Sequence, residues 1–296
     1  PRSSRPLIAS LTRRPTPMNK TLSQHDFNYI RDLVRRRSAI VLETDKRYLI
    51  ETRLTPLARQ TGFTSLQELI ASLRRNPGDN LQCQVVEAMT THETSFFRDG
   101  HPFETLKTAV FPELLARRPL GQALTVWCAA CSSGQEPFSV AMLAREHFPD
   151  LIKGRLRIFA TDLSGLVLER ARAGLYSQIE INRGLPAALL ARYFDKQGLH
   201  WRLKSEIRRM VDFQQSNLIE DWPNFPTLDV IFLRNVLIYF GVETKRAILA
   251  KVRRLLKPDG YLFLGSSETT LNLDAAFEPI SLGKTVCYQL RQTPVS

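Results

Sequence analysis

The sequence predicts an α/β protein in which an N-terminal helical bundle precedes a doubly wound, mostly parallel β-sheet. The first observation is that residues 23–89 show helical periodicity with no strand signal. The second is that strand-like apolar runs alternate with helical runs after about residue 120. Such alternation is typical of a parallel sheet that helices cover on both faces.

The N-terminal region contains four predicted helices. Residues that suit N-cap positions mark three of the starts, at Ser23, at Thr44 and at Thr64 or Ser65, and the fourth helix runs from about Asn80 to Met89. The apolar faces of these helices are predicted to carry Phe27, Ile30, Leu33, Val34, Tyr48, Leu49, Leu54, Leu57, Leu66, Leu69, Ile70, Leu73, Leu81, Val85 and Val86. Four short helices of this kind predict a small bundle.

The region after residue 120 contains six predicted strands, at 124–129, 156–162, 211–216, 228–233, 261–264 and 285–288. Helices are predicted among them at 136–147, 164–173 and 243–256. The stretch 176–209 is too long for a simple connection and ends in a strand-like run, which indicates an inserted subdomain.

We therefore divide the chain into a helical domain at 18–90, a linker and start of the second domain at 91–120, and a second domain at 121–296 with its insertion at about 176–209. Residues 1–17 contain four arginines, four prolines and no acidic residue. We expect this segment to be a disordered leader, either an extension upstream of Met18 or a remnant of cloning.

The overall composition is that of a soluble protein, with 43% hydrophobic and 24% charged residues. No apolar run reaches the roughly 18–20 residues of a membrane helix. Four scattered cysteines are too few for a disulfide framework. We expect a cytoplasmic monomer without membrane insertion. The leader supplies four of the +12 net charges, and the remaining +8 is too moderate to indicate a nucleic-acid partner.

Three segments follow predicted strands, where ligands bind in open parallel sheets. The first is Trp127-Cys-Ala-Ala-Cys-Ser-Ser-Gly-Gln-Glu136, whose small residues let a ligand approach the backbone and whose Gly134 relieves a tight turn. The second is Asp162, which can accept hydrogen bonds from two ribose hydroxyls, although a strand-end aspartate is also an ordinary helix cap. The third is Asn217-Leu218, where the amide could address an adenine edge.

The first of these loops is not a dinucleotide-binding fingerprint. It has one glycine where G-x-G-x-x-G has three. A nucleoside without phosphates needs fewer glycines, so S-adenosylmethionine fits the loop better.

Five ordered segments carry a resemblance to a known family. They are Met89-Thr-Thr-His-Glu-Thr-Ser-Phe-Phe-Arg98, Cys128-Ala-Ala-Cys-Ser-Ser-Gly-Gln-Glu-Pro-Phe-Ser139, Ala160-Thr-Asp-Leu-Ser164, Phe232-Leu-Arg-Asn-Val-Leu-Ile-Tyr-Phe240 and Leu256-Lys-Pro-Asp-Gly-Tyr-Leu-Phe-Leu-Gly-Ser266. Together they resemble the CheR-type chemotaxis receptor methyltransferases over about residues 27–290. The resemblance implies an S-adenosylmethionine-dependent methyltransferase fold with a small antiparallel β-subdomain.

The resemblance also implies a set of site residues. The cofactor-binding positions would be His92, Thr94, Arg98, Glu136, Asp162, Asn217, Leu218, Arg234 and Asn235. His92 stands where the family usually has Asn, and Phe138 stands where it usually has Tyr. The catalytic candidates are Arg98, in an orienting role, and Tyr239, which would face the reacting methyl group. Without the resemblance, Tyr239 would be interpreted as a core residue.

The implied activity is methyl transfer from S-adenosylmethionine to glutamate side chains of methyl-accepting chemotaxis receptors, for sensory adaptation. The product would be S-adenosylhomocysteine. A glutamate carboxylate has a pKa of about 4.3, so it is ionised at neutral pH and needs no general base. The implied partner is the cytoplasmic helical domain of a receptor and, in some family members, a C-terminal receptor peptide. The enzyme would be recruited to receptor arrays. Arg53 and Arg59 are candidate receptor-docking residues, against the alternative of plain solvation.

Two other functions stay open. A nucleic-acid methyltransferase would suit the basic charge, but such enzymes often carry an Asn/Asp-Pro-Pro-aromatic segment where this chain has Leu233-Arg-Asn-Val-Leu-Ile-Tyr239. A non-catalytic cofactor sensor would not need to retain Arg98 and Tyr239. Cys128 and Cys131 have metal-ligand spacing but no second ligand pair, so we predict packing and no metal.

Overall fold

The computed structural model describes residues 22–78, 80–119 and 121–291, so the predicted leader lies outside the described residues. The helices are α1 (Gln24–Ser38), α2 (Arg47–Gln60), α3 (Leu66–Arg75), α4 (Asn80–Met89), α5 (His101–Thr105), α6 (Phe111–Arg117), α7 (Gln135–His147), α8 (Pro149–Ile152), α9 (Gly165–Ala173), α10 (Gln178–Asn182), α11 (Ala187–Tyr193), α12 (Ser205–Arg208) and α13 (Val242–Leu255). The strands are β1 (Leu124–Ala129), β2 (Leu156–Asp162), β3 (Leu175–Ser177), β4 (Phe194–Gln197), β5 (His200–Leu203), β6 (Val211–Gln215), β7 (Leu228–Leu233), β8 (Leu256–Leu264), β9 (Phe277–Leu282) and β10 (Thr285–Leu290). None of the described helices is long and apolar enough to span a membrane.

Helices α1 to α4 form the N-terminal bundle around one apolar core. The side chain of Ser23 caps α1 by accepting from the Asp26 N–H, and Ser65 caps α3 by accepting from the Glu68 N–H, as predicted. Of the four residues predicted for the apolar face of the second helix, Leu49, Leu54 and Leu57 pack in this core, whereas Tyr48 is 62% exposed and the buried Ile50 was not predicted. A 3₁₀ turn at Thr44–Lys46 precedes α2, so the α-helix begins at Arg47, three residues after the predicted start at Thr44.

The second domain is built on a seven-stranded sheet in the order β6-β2-β1-β7-β8-β10-β9. Strands β6, β2, β1, β7 and β8 are parallel to one another. Strand β10 pairs antiparallel with β8 on one side and with β9 on the other. All six residues of β1 are buried, which explains the continuous apolar run in its sequence. The predicted fold class is therefore confirmed.

Four elements that follow the helical bundle differ from the prediction. Strand β9 and helices α5 and α6, which a π-helical segment at Leu106–Val110 joins, were not predicted. Strand β8 begins at Leu256, five residues before the predicted start at Tyr261. Its register against β7 skips from Leu256 opposite Leu228 to Tyr261 opposite Val230. The residues of β8 between Leu256 and Tyr261 therefore form a bulge, and they do not show the alternating pattern of a regular strand.

The insertion forms its own antiparallel sheet in the order β3-β5-β4. Phe96, in the segment between α4 and α5, packs edge-on against Tyr176 with ring centroids 5.0 Å apart and against Phe194 with centroids 5.6 Å apart. The carbonyl of Phe96 lies so close to Gly184 that a Cβ there would come within 2.2 Å of its oxygen. The insertion is thus fitted against the chain segment that leads into the candidate site.

Candidate functional site

A cavity of about 240 Å³ opens at the carboxyl ends of β1, β2 and β7. The strand order reverses between β1 and β7, and open α/β sheets bind ligands at such a point. The lining includes His92, Thr94, Arg98, Glu136, Asp162, Asn217, Leu218, Arg234, Asn235 and Tyr239. The fold therefore brings together every residue that was predicted to bind cofactor or to act in catalysis, whereas Arg53 and Arg59 lie outside the lining.

The loop after β1 is unusually tight. Ala130 and Ser132 both have a φ of 52°, and Gly134 has a φ of 90°, so three residues adopt the left-handed region within five positions. A Cβ at Gly134 would lie 2.9 Å from the Cβ of Ala171, so only glycine fits there. This turn exposes the backbone of Ala130 to Ser132 to the cavity at the start of α7.

Asp162 organises this loop as well as lining the cavity. Its Oδ2 accepts from the Ser132 N–H at 2.8 Å and its Oδ1 accepts from the Ser164 N–H at 3.0 Å. A carboxylate offers about four acceptor sites, so each oxygen keeps capacity for a ligand hydroxyl. Burial raises the pKa of Asp162 and lowers the pKa of its neighbour His92. The Nε2 of His92 lies 2.7 Å from the Thr90 hydroxyl.

Arg234 carries a buried charge network on the opposite wall. Its Nη1 donates to Glu136 Oε2 at 2.9 Å and its Nη2 donates to Asp99 Oδ2 at 2.6 Å. Burial raises the pKa of Glu136, and the positive charge of Arg234 opposes that shift. The Nε of Arg234 is buried and has no hydrogen-bond partner among the described residues. A buried guanidinium N–H of this kind retains the capacity to bind an acceptor atom of a ligand.

Arg98 and Tyr239 lie at the same cavity. Arg98 is half-buried, and its Nη1 donates to the carbonyl of Glu93 at 2.9 Å. Tyr239 is half-buried in a 3₁₀ turn at Leu237–Tyr239, and its carbonyl accepts from the Val41 N–H at 3.0 Å. The segment after α1 therefore binds directly to the turn that carries Tyr239.

Asn217 is held by the protein itself. Its amide nitrogen donates to the Arg37 carbonyl at 2.8 Å and to Glu220 Oε1 at 3.1 Å, and its oxygen accepts from the Ile219 N–H at 3.3 Å. Both N–H groups of this amide are therefore in use, so an adenine contact made without rearrangement would have to use the second acceptor site of the Asn217 oxygen. Its role at an adenine edge stays a prediction.

The sequence did not predict the roles of two residues that shape the cavity. Glu268 was not predicted at all, and Arg53 was predicted only as a candidate docking residue. Glu268 accepts hydrogen bonds from the backbone of the loop after β7, and nothing in the sequence pattern marked it. Arg53 donates to the carbonyls of Met89 and Thr90, so it supports the segment that leads to His92. Arg59 is exposed, as a docking residue would be.

Cys128 and Cys131 both lie in the core, with 0% and 2% exposure. Burial raises the pKa of both thiols well above the ordinary value. They are therefore held as neutral thiols, and they pack small side chains beneath the loop after β1.

The residues of the cavity fit S-adenosylmethionine. This cofactor carries a ribose diol, an ammonium group, a carboxylate and a sulfonium. Asp162 offers acceptor capacity for the diol, Glu136 offers negative charge, and Arg98 together with the unpartnered Nε of Arg234 offers donors for a carboxylate.

Comparison with known proteins agrees with this geometry. Residues 25–90 match the family model described as "CheR methyltransferase, all-alpha domain", and residues 92–286 match the one described as "CheR methyltransferase, SAM binding domain". The chain is 42% identical over 271 residues to "Chemotaxis protein methyltransferase Cher2" of Pseudomonas putida, covering 90% of this chain and 98% of that protein. It is 43% identical, with the same coverage, to "Chemotaxis protein methyltransferase 1" of Pseudomonas aeruginosa. A "Chemotaxis protein methyltransferase" of Vibrio parahaemolyticus is 34% identical over 275 residues, which cover 92% of this chain and 98% of that protein. S-adenosylmethionine is therefore the cofactor, as predicted.

Proposed function

Since the chain belongs to the CheR methyltransferase family, we propose that it transfers the methyl group of S-adenosylmethionine to glutamate side chains of chemotaxis receptors. The products would be a glutamyl methyl ester and S-adenosylhomocysteine. The relatives named as chemotaxis protein methyltransferases support the receptor as substrate, because the alignment covers 98% of their length. We further propose that the enzyme acts in the cytoplasm and is recruited to receptor arrays.

The observation that supports a carboxylate as the methyl acceptor is the hydrogen bonding of Arg98. This guanidinium lines the cavity, and in the described part of the chain its side chain makes a single hydrogen bond, to the Glu93 carbonyl. The remaining N–H groups can bind the carboxylate of an incoming glutamate. An amine acceptor, as in nucleic-acid methylation, would not make this second contact, and Arg98 would then serve the cofactor carboxylate alone.

For this reaction the protein mainly has to position the cofactor and the acceptor. When bound, S-adenosylmethionine supplies a methyl group on a positively charged sulfur. The acceptor carboxylate is already ionised at neutral pH, so no side chain has to remove a proton. The chain must hold the acceptor oxygen in line with the methyl group and keep water away. Tyr239, which lines the cavity, is proposed to do this on the acceptor side.

Charge disappears as the ester forms, which limits how tightly the chain should bind the acceptor. An ion pair that is stronger in the ground state than in the transition state would slow the transfer. A half-buried Arg98 that also donates to the Glu93 carbonyl suits a role that orients the carboxylate without fully desolvating it.

The proposal is tested by transfer of a labelled methyl group to membranes that contain chemotaxis receptors, followed by treatment with alkali. We expect the label to be released as volatile methanol, because a carboxyl ester hydrolyses in base. A label that withstands alkali would contradict esterification. Arg98→Lys is the informative variant, since it keeps the charge but loses the planar donor geometry, and we expect it to lower the transfer rate.

The two alternatives give different results in the same assay. A cofactor sensor would bind S-adenosylhomocysteine but transfer no label to any receptor. A nucleic-acid methyltransferase would transfer label to DNA or RNA and leave receptors unlabelled. Binding to nucleic acid that weakens steeply with salt, without transfer, would reflect only the net charge.

A further inference from the structure

Four backbone N–H groups converge on the carboxylate of Glu268. Its Oε2 accepts from Gly265 at 2.6 Å and from Asn235 at 2.7 Å. Its Oε1 accepts from Val236 at 2.9 Å and from Ile238 at 3.3 Å. Three of the four donors belong to the loop that follows β7 and lines the cavity. Glu268 itself lies in the loop after β8.

The loop after β7 needs such an acceptor. Asn235 has a φ of 58°, and a residue in this left-handed region directs successive N–H groups toward the same side. Those N–H groups have no strand partner at this point, and the part-buried N–H groups of Asn235 and Val236 would cost free energy if they had no acceptor. An ionised carboxylate satisfies several of them with charge-assisted hydrogen bonds, which are stronger than neutral ones.

Gly265 shows how closely the two loops approach. A Cβ at this position would lie 2.7 Å from Asn235 Nδ2, 2.7 Å from Glu268 Oε2 and 2.9 Å from the Asn235 nitrogen. Any residue other than glycine would force the loops apart. The contact between the loop after β7 and the loop after β8 therefore depends on both Gly265 and Glu268.

The two ends of the loop after β7 are held by different groups. Arg234, at its start, is fixed by Glu136 and Asp99 on the other side of the cavity. Among the following residues, Asn235, Val236 and Ile238 donate their N–H groups to Glu268, and the Tyr239 carbonyl also accepts from the Val41 N–H. Loss of the Glu268 carboxylate should therefore move the end of the loop that carries Tyr239 more than the end that carries Arg234.

We propose that Glu268 is a positioning residue that fixes the turn from Asn235 to Tyr239 so that Tyr239 faces the acceptor side of the cavity. This inference rests on the proposed methyl transfer for its kinetic consequence, but its conformational part is independent of any substrate. Glu268 acts through the backbone of the loop and is not itself a catalytic residue.

The test compares Glu268→Gln with the wild-type enzyme in three measurements. Gln has the same shape, but its NH₂ group would face two N–H donors in place of an acceptor oxygen. We expect faster amide hydrogen exchange in residues 235–239 and unchanged exchange in β1. We expect kcat for receptor methylation at saturating S-adenosylmethionine to fall by about tenfold to a hundredfold. The affinity for S-adenosylhomocysteine, measured by calorimetry, should fall less than kcat, because Asn235 is the one predicted cofactor contact in the released turn while Arg234 stays fixed.

Glu243→Gln is the matched control. The Glu243 side chain is 85% exposed on α13, where it pairs with Arg246, so this variant should behave as wild type in all three measurements. Glu268→Asp, which keeps the charge with a shorter reach, should recover part of the lost kcat.

Three results would overturn the proposal. The first is unchanged exchange in residues 235–239 of Glu268→Gln. The second is faster exchange throughout the sheet, including β1, which would mean a general loss of stability. The third is an equal loss of kcat and cofactor affinity. If the wild-type enzyme esterifies no receptor, the proposed function fails, while the exchange measurement still decides whether Glu268 positions the loop.

Discussion

Arg53 on α2 donates from Nη1 to the carbonyl oxygen of Met89, the last residue of α4, over a distance of 2.6 Å. The same nitrogen lies 2.9 Å from the carbonyl oxygen of Thr90, and Nη2 lies 3.0 Å from the hydroxyl of Thr91. Carbonyls at the C-terminus of a helix have no partner within the helix, and a cation there is favourable. Arg53 therefore fixes the segment through which the helical domain enters the cavity at His92.

The first prediction is that Arg53→Glu lowers cofactor affinity as well as receptor methylation. A carboxylate would face two carbonyl oxygens and would displace the segment that contains His92 and Thr94. We expect the affinity for S-adenosylhomocysteine to fall by about tenfold, in line with the loss of charged hydrogen bonds. Calorimetry measures this directly. The sequence alone predicts Arg53 as a docking residue, against plain solvation, and unchanged cofactor affinity would favour those interpretations.

The second prediction concerns Arg59, which lies on the same helix and is exposed. If α2 contacts an acidic receptor helix, Arg59→Glu should lower the rate of receptor methylation by about threefold to tenfold at low salt, and the effect should shrink as salt is raised. Cofactor affinity should stay unchanged. Arg75→Glu, an exposed arginine on α3, is the charge-matched control. An equal loss in both variants would mean that net charge matters and that Arg59 has no specific docking role.

The third prediction is a pH dependence of cofactor affinity that Asp162 controls. The ionised carboxylate accepts hydrogen bonds, so affinity is present above the folded-state pKa of Asp162 and is lost as pH falls through it. Burial raises that pKa above the ordinary 3.8, so the loss should begin at a higher pH than for an exposed aspartate. Asp162→Ala should abolish binding at every pH. The free energy of unfolding changes with pH in the opposite direction. Because the pKa of Asp162 is raised in the folded state, the fold loses stability as pH rises from the ordinary pKa to the raised one.

Calorimetry with S-adenosylhomocysteine across acidic and neutral pH tests this prediction. Asp162→Asn cannot ionise, so its weaker binding should vary less with pH than binding to the wild type. Glu136, whose pKa burial raises, and His92, whose pKa burial lowers, account for the slope that remains. An identical pH profile in Asp162→Asn and wild type would show that Asp162 is not the group that titrates.

Much of the fold could be predicted because its strands are buried and continuous. Every residue of β1 and of β7 is buried, so both are mostly apolar, and Thr125 in β1 and Asp229 in β7 are the polar exceptions. Strand β9 escaped prediction because it pairs with β10 alone, most of its residues are partly or fully exposed, and it contains Pro279. Edge strands of this kind leave little hydrophobic pattern in a sequence.

The candidate site divides in the same way. Residues at strand ends, such as Asp162, could be predicted because parallel strands place their carboxyl ends at one edge of the sheet. Glu268 and Arg53 could not, because each acts on backbone groups that are distant in sequence. Their partners, the N–H of Asn235 and the carbonyl of Met89, are backbone groups. Because almost every residue has such groups, the sequence gives no sign of which ones are bound. Only the close approach of two loops or two helices reveals them.

The last prediction links the insertion to the cofactor loop through Tyr176. Its hydroxyl, on β3 of the insertion, donates to the carbonyl of Ser133 at 2.8 Å in a buried setting. Burial raises the pKa of Tyr176, so the hydroxyl stays a donor throughout the working pH range. Tyr176→Phe keeps the edge-on packing against Phe96 but leaves the Ser133 carbonyl without this donor. Such a loss costs about 1–3 kcal/mol.

Because Ser133 lies in the loop after β1, part of that cost should appear at the cofactor site. We expect Tyr176→Phe to weaken S-adenosylhomocysteine binding by about threefold to tenfold, since 1.4 kcal/mol corresponds to about tenfold. Tyr193→Phe is the matched control, because the Tyr193 hydroxyl bonds Glu146 near the C-terminal end of α7, whereas Ser133 directly follows Ser132, which lines the cavity. Equal losses of Tm in the two variants, with cofactor affinity unchanged in both, would mean that the insertion stabilises the domain without bracing the loop. A loss of cofactor affinity in Tyr176→Phe but not in Tyr193→Phe would mean that the insertion supports the cofactor site through the hydrogen bond from Tyr176 to Ser133.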